Sequence, residues 1–304
     1  MSRLTAPRWR DLAVVHRLEY TLPVSYLCYA VLGACVAADG AEQAAIPVLL
    51  AVVANLLLIV GPLALNVAAD LRADERNPEK RYLASATTGV GRVRTLRWAV
   101  TELTVGAALA CVVTVWTGSW PVALVAAAII ALQVAYNLEP LRLKRRGLAG
   151  PAAFGIASVG LPFLLSYAAV SHAVPGSAWL LAAGVGVLST GRTLWWSLPD
   201  RAADAATGIA VPVARFGVRG TRVLTCAVLV AGLVLLVAGL WLHYGPAWAL
   251  LGSAGHAIFT GWLAVLALRP SGHAAPSARR MLTRSLTLVA LSEVLLVATA
   301  LGNL

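Results

Sequence analysis

Charge is scarce in this sequence. Only 12% of its 304 residues are Asp, Glu, Lys or Arg, against roughly 25% in a soluble globular domain. That shortfall excludes an ordinary water-soluble protein. Cysteine is scarce too. Cys28, Cys35, Cys111 and Cys226 all sit in apolar runs without metal-ligand spacing, which argues against a thiolate metal centre and for small core hydrophobes. No linker is long enough to separate two domains, so residues 1–304 are expected to form one. No cleavable signal segment is evident, because the first apolar stretch begins only near Leu18, after a charged amphipathic opening.

What the sequence has in quantity is long apolar runs, with 60% hydrophobic residues. Residues 45–63 contain one polar side chain, Asn55; residues 120–131 contain none; residues 223–241 contain Thr225 and Cys226. A helix needs about 20 such residues to cross the hydrocarbon core. Spans are expected at 20–37, 45–65, 98–117, 119–137, 150–171, 177–196, 222–243, 246–268 and 283–303. The expected fold is therefore an all-α polytopic membrane protein, with about nine transmembrane helices around a central cavity.

The connections alternate in character. Short loops after the first, third, fifth and seventh spans carry Asp39, Glu42, His172 and His243 but no Lys or Arg. All 24 Lys and Arg fall in or beside the N-terminal segment and the other connections. The positive-inside rule makes that face cytoplasmic, with the N-terminus inside and the C-terminus outside a cell (inner) membrane. The net charge of +11 is then a record of topology, and no nucleic-acid partner is expected.

The acids on that face are patterned. Asn66, Asp70 and Asp74 are spaced i, i+4, i+8, so on a helix they stack along one face over about 12 Å. Asp200 and Asp204 repeat the i, i+4 pair after the sixth span, with Gly208 four residues on. Either motif alone reads as well as loop acids paired with Arg72, Arg76 and Arg201 in water. Two matching motifs on one face favour oxygen-rich edges for Mg²⁺, which takes one or two carboxylates, keeps waters and binds substrate phosphates. A third stretch, Tyr136-Asn137-Leu138-Glu139-Pro140-Leu141-Arg142-Leu143-Lys144, follows the fourth span. Arg145 and Arg146 read as a membrane anchor; Arg142 and Lys144 could contact phosphate oxygens, one as a fork and one as a point charge.

These motifs resemble the UbiA-type superfamily of intramembrane prenyltransferases. That family carries N-D-x-x-D-x-x-x-D after helix two, a Tyr-x-x-x-Pro-x-Arg-x-Lys-like stretch after helix four and a second aspartate-rich motif after helix six. Asn66, Asp70 and Asp74 match the first, Tyr136, Pro140, Arg142 and Lys144 the next, and Asp200, Asp204 and Gly208 the end of the last; Arg17, ahead of Pro23, resembles an early arginine. Val67 stands where the family often has Asp, and Trp196-Ser197 where the second motif often begins Asn-Asp.

The resemblance implies transfer of an isoprenyl group from an isoprenyl diphosphate to a hydrophobic, aromatic acceptor through an allylic cation. Asp70, Asp74, Asp200 and Asp204 would hold Mg²⁺ with Asn66. Arg17, Arg142 and Lys144 would hold phosphate, and Tyr136 would face the cation. Two other readings stay open: a membrane terpene cyclase that closes the prenyl chain without acceptor, and an ion-coupled transporter. Against the transporter, the acids gather at one membrane face and not at the midplane.

Glu102, Glu293 and His256 lie inside predicted spans. Glu102, near a helix end, reads equally as a snorkelling acid; Glu293, mid-helix, as an interhelical hydrogen bond or acceptor contact; His256 as a satisfied core histidine. Trp98, Trp116, Trp120, Trp179, Trp241 and Trp248 lie near helix ends, as an interfacial belt does.

Overall fold

The computed structural model describes residues 9–38, 45–200, 212–268 and 278–302. Every regular element among them is helical: α1 (Trp9–Val15), α2 (Leu22–Ala37), α3 (Ala45–Arg76), α4 (Arg81–Val90), α5 (Arg92–Thr117), α6 (Trp120–Asn137), α7 (Ala149–Gly155), α8 (Leu161–Ala168), α9 (Gly176–Trp196), α10 (Pro212–Tyr244), α11 (Pro246–Leu268) and α12 (Ala278–Leu301). A π-helical turn, Ile156–Gly160, joins α7 to α8, so that residues 149–168 form one 20-residue span. Gly217, with φ of +67°, breaks α10 near its start.

Among the described residues, seven helices are long and apolar enough to cross a membrane. The protein is a multi-pass membrane protein. Two of the nine expected spans fall short of that measure. Helix α2 has only 16 residues. In α9, Gly, Ser and Thr recur and Arg192 is buried within the helix. The sequence counts Arg192 with the cations of the connection that follows, although the expected span 177–196 contains it; the structure buries it inside that helix.

The basic connection after α3 is likewise mostly helix. Helix α3 continues through Arg76, α4 follows, and α5 begins at Arg92, six residues before the expected start. Helix α4 buries Leu83, Ala86 and Val90 on one face, a 3.6-residue pattern too short to register as a span. Helix α1 packs on it, and Val14, Val15, Leu65, Val67, Leu83 and Ala99 form a small apolar cluster that fixes both helices against α3 and α5.

The large core joins α2, α8, α9, α10, α11 and α12, and a second cluster joins α3, α5, α6 and α8. Lipid tails are as apolar as leucine, so close backbone approach replaces hydrophobic drive as the source of helix cohesion. Gly184 and Gly232 supply it between α9 and α10: a Cβ would lie 2.6 Å from the Leu236 nitrogen at one and 2.7 Å from the Leu188 nitrogen at the other.

Glu102 has a partner that its sequence position conceals. His16 Nε2 lies 3.0 Å from Glu102 Oε1, and His16 Nδ1 lies 2.9 Å from the Leu12 carbonyl. Burial alone would draw the His16 pKa down, but its bonds to Glu102 and Leu12 and the Glu102 charge outweigh that, leaving it raised. A raised histidine adds stability that is full below the ordinary value near 6.5 and is lost as pH climbs through the folded value. Amide exchange over residues 9–16, corrected for intrinsic rates, should therefore quicken a few-fold from about pH 6 to pH 8.5 in the native protein. In His16→Phe the corrected rates should not change with pH.

Candidate active site

Helix α3 carries Asn66, Asp70 and Asp74 on one face, and all three line a cavity of about 790 Å³. The same cavity takes Pro62 and Leu63 from α3, Gln133, Tyr136 and Asn137 from α6, Phe154 from α7, and Thr193 and Trp196 from α9. Met281, Leu282 and Leu286 of α12 close a further wall. Polar residues thus crowd the end bearing the basic connections, while aromatic and aliphatic side chains line the part that enters the bundle. That division suits a molecule with a charged head and an apolar body.

The head region is cross-linked by ions. Asp70 receives Arg142 Nη2 at 2.9 Å on one carboxylate oxygen and Lys144 Nζ at 2.7 Å on the other. Arg142 also reaches Glu139 at 3.2 Å. Burial draws the Lys144 ammonium below the ordinary lysine range, against the pull of the Asp70 charge. The Arg142 backbone has φ of +37°, a left-handed conformation uncommon outside glycine. Such strain persists only where surrounding contacts over-determine it, and here the turn delivers two cations to one carboxylate.

An amide chain leads inward from this cluster. Asn66 Nδ2 donates to Asn137 Oδ1 at 2.8 Å, Asn137 Nδ2 donates to the Gln133 carbonyl at 3.1 Å, and Gln133 Nε2 donates to Ser158 Oγ at 3.0 Å. Ser158 belongs to the π-helical turn. Such turns recur at functional positions, since the extra residue re-aims side chains. Tyr136 stands on the same wall, its ring 6.0 Å from that of Phe154.

Arg17 also lines the cavity, with φ of +54°, and its Nη1 donates to the Tyr82 hydroxyl at 3.3 Å. The structure therefore gathers Asn66, Asp70, Asp74, Tyr136, Lys144 and Arg17 around one cavity, with Arg142 bonded to Asp70 behind them. Asp200 ends the short turn Leu198–Asp200. Its side chain, and all of Asp204, lie outside the described residues. Trp196, Ser197 and Pro199, which lead to it, line the same cavity, and Trp196 Nε1 donates to Ser285 Oγ at 2.9 Å.

Sequence reading missed several wall residues. Glu19, Lys80 and Tyr82 line the cavity and belong to stretches read as connections, and Tyr20 beside them is the first residue of the first expected span. Gln133 carried a visible signal: it is an amide inside an apolar run, one turn before Asn137.

The donor set fits a hard divalent cation. Asp70, Asp74 and Asn66 offer oxygen ligands only, from one helix face, which is the coordination Mg²⁺ accepts while keeping waters. Among the described residues no group of three or more Asp, Glu, His or Cys could hold a metal alone, so further ligands must come from elsewhere. Charge points the same way. Five cationic and four acidic residues line the cavity, too near balance to hold a polyanion without added positive charge.

Residues 26–286 match the model of the UbiA prenyltransferase family. The chain belongs to that family. No curated protein sequence matches it. Solved structures do. A UbiA homologue from Archaeoglobus fulgidus bound to GPP and Mg²⁺ superposes with a TM-score of 0.72 at 14% identity, covering 96% of this chain and 99% of that one. The apo UbiA homologue from Aeropyrum pernix K1 gives a TM-score of 0.73 at 17% identity, over 94% and 98% of the two chains. A structure of digeranylgeranylglyceryl phosphate synthase gives 0.67 at 15% identity, over 96% and 98%. At such identities the likeness establishes the UbiA fold.

Proposed function

We propose that this UbiA-family protein is a single-domain, Mg²⁺-dependent prenyltransferase, which moves an isoprenyl group from an isoprenyl diphosphate to a hydrophobic, aromatic acceptor. One observation carries the reading: a cavity that joins the Asp70–Arg142–Lys144 cluster to Asp74 and Asn66 and also takes apolar side chains, Pro62, Leu63, Phe154 and Leu286 among them. The A. fulgidus homologue, which holds GPP with Mg²⁺, supports it.

Asp70, Asp74 and Asn66 would hold Mg²⁺, with Asp200 and Asp204 as the second acidic pair. Bound there, the ion supplies Lewis-acid charge that steadies the leaving diphosphate. Arg142, Lys144 and Arg17 contribute fixed positive charge to the same phosphate oxygens as the allylic C–O bond breaks. Tyr136 and Phe154 present aromatic faces to the cation left behind. Leu63, Leu286 and Trp196 shield it from water. The active site faces the cytoplasm, since the basic connections mark that side.

Purified protein in lipid nanodiscs should release diphosphate from geranyl diphosphate only with Mg²⁺, and chelation should abolish release. Faster release and a prenylated product with added phenols mark transfer. Release unaffected by any acceptor, with a cyclic hydrocarbon as product, would instead favour a terpene cyclase.

A further inference from the structure

A carbocation reaction must also dispose of a proton. When the acceptor's electron pair forms the new bond to the allylic carbon, the hydrogen on that acceptor atom leaves as H⁺. If the cation collapses to an alkene instead, the hydrogen comes from a carbon beside the charge. The side chains assigned above are metal ligands, cations, aromatic rings and aliphatic groups, none of them a base for that proton.

Glu19 is a carboxylate that those assignments leave unused. It lines the cavity in the turn between α1 and α2. Arg17 and Tyr20, on either side of it, both have left-handed backbones, with φ of +54° and +56°. The turn is pinned nonetheless: the Tyr26 hydroxyl donates to the Arg17 carbonyl at 3.3 Å, and the Leu22 amide donates to the Glu19 carbonyl at 3.2 Å. Two strained residues flanking one acid, held by outside contacts, are what a presented functional side chain requires. Arg10 of α1, Arg17 of the turn and Tyr82 of α4 face this position, and Tyr20 and Lys80 act in turn on the Tyr82 hydroxyl.

We propose that Glu19 is the proton acceptor of the reaction. The proposal rests on the prenyl-transfer reading and holds for either fate of the cation. The C–O bond breaks with its electron pair on diphosphate, the acceptor atom bonds to the allylic carbon, and the proton of that atom passes to the Glu19 carboxylate. Without acceptor, Glu19 removes a proton from the cation and a hydrocarbon forms in place of the alcohol that water would give. Burial raises the Glu19 pKa above the ordinary carboxylate value, with the Arg17 charge, the Tyr82 hydroxyl and the Arg10 charge opposing. That brings it nearer the operating pH of a general base.

The test uses geranyl diphosphate and Mg²⁺ with the protein in nanodiscs and no acceptor. Extracted C10 hydrocarbons are measured against C10 alcohols, with diphosphate release followed in parallel. The split between products is the readout, so a change in total turnover does not obscure it. In Glu19→Gln the hydrocarbon-to-alcohol ratio should fall about tenfold or more, and Glu19→Asp should recover part of it. In the unsubstituted protein the ratio should rise as pH climbs and the Glu19 acid ionises, a rise that Glu19→Gln should remove. An unchanged ratio in Glu19→Gln overturns the assignment. So does a pH-independent ratio in the unsubstituted protein, which also decides the matter if the variant misfolds. If neither the variants nor the unsubstituted protein release diphosphate with Mg²⁺ even after a phenol is added, prenyl transfer itself falls and the assignment with it.

Discussion

Asp70→Asn should lower Mg²⁺-dependent diphosphate release by about 10³-fold, the cost of removing one group that fixes charge in a preorganised site. Asp70 is the residue through which the head region is organised. One oxygen holds Arg142 and the other Lys144, and both cations come from the turn after α6, more than 70 residues along the chain. The asparagine keeps the shape and loses the charge. It would bind a divalent ion poorly and leave Lys144, already drawn below the ordinary lysine range, without its anion. Lys144→Met should cost less, about tenfold to a hundredfold, because Arg17 still lines the cavity and Arg142 stays bonded to Asp70. The double variant should be scarcely worse than Asp70→Asn alone, since the two side chains act as one unit. Release within tenfold of the unsubstituted rate in Asp70→Asn would place the metal elsewhere.

That cluster also marks how far the sequence could be read. The spacing of Asn66, Asp70 and Asp74 put three polar groups on one helix face, and the helix runs through all three. Arg142 and Lys144 stood out as cations near an aromatic residue at a helix end. Their bonding to Asp70 was not legible, because pairing across so many residues is decided by how α3 and α6 pack. Helix α4 and the turn holding Glu19 were hidden for another reason. Short amphipathic segments beside long apolar spans look like basic loops, and the positive-φ residues that shape the turn are Arg17 and Tyr20, neither a usual signal of such a backbone. Arg192 was counted with the connection that follows because a cation one turn from a helix end reads as an interfacial group; its pairing with Glu293, 101 residues along the chain, was not legible.

Glu293→Ala should produce the largest loss of stability in the protein. Glu293 and Arg192 are paired at the centre of the large core, with side chains 1% and 2% exposed. His256 Nε2 stands 4.0 Å from the free carboxylate oxygen, and the Arg192 guanidinium carbon lies 5.8 Å from the Tyr29 ring centre. The pair thereby ties α9 to α12, with α2 and α11 closing around it. Removing one partner strands a buried charge, which costs about 3–5 kcal/mol, whereas replacing both with apolar side chains is often neutral. The thermal midpoint in detergent should drop by roughly 10 °C in Glu293→Ala. Arg192→Met should drop it comparably, and the double variant Arg192→Met/Glu293→Met should regain most of the loss. The same pair bears on the cavity. Arg192 lies one turn before Trp196, whose bond to Ser285 joins the same two helices at the cavity wall. If the double variant regains its midpoint but not its diphosphate release, the ions set the register of α9 against α12 beyond what packing provides. A double variant as unstable as either single one would mean that the charges contribute net stability, and that apolar packing cannot replace them.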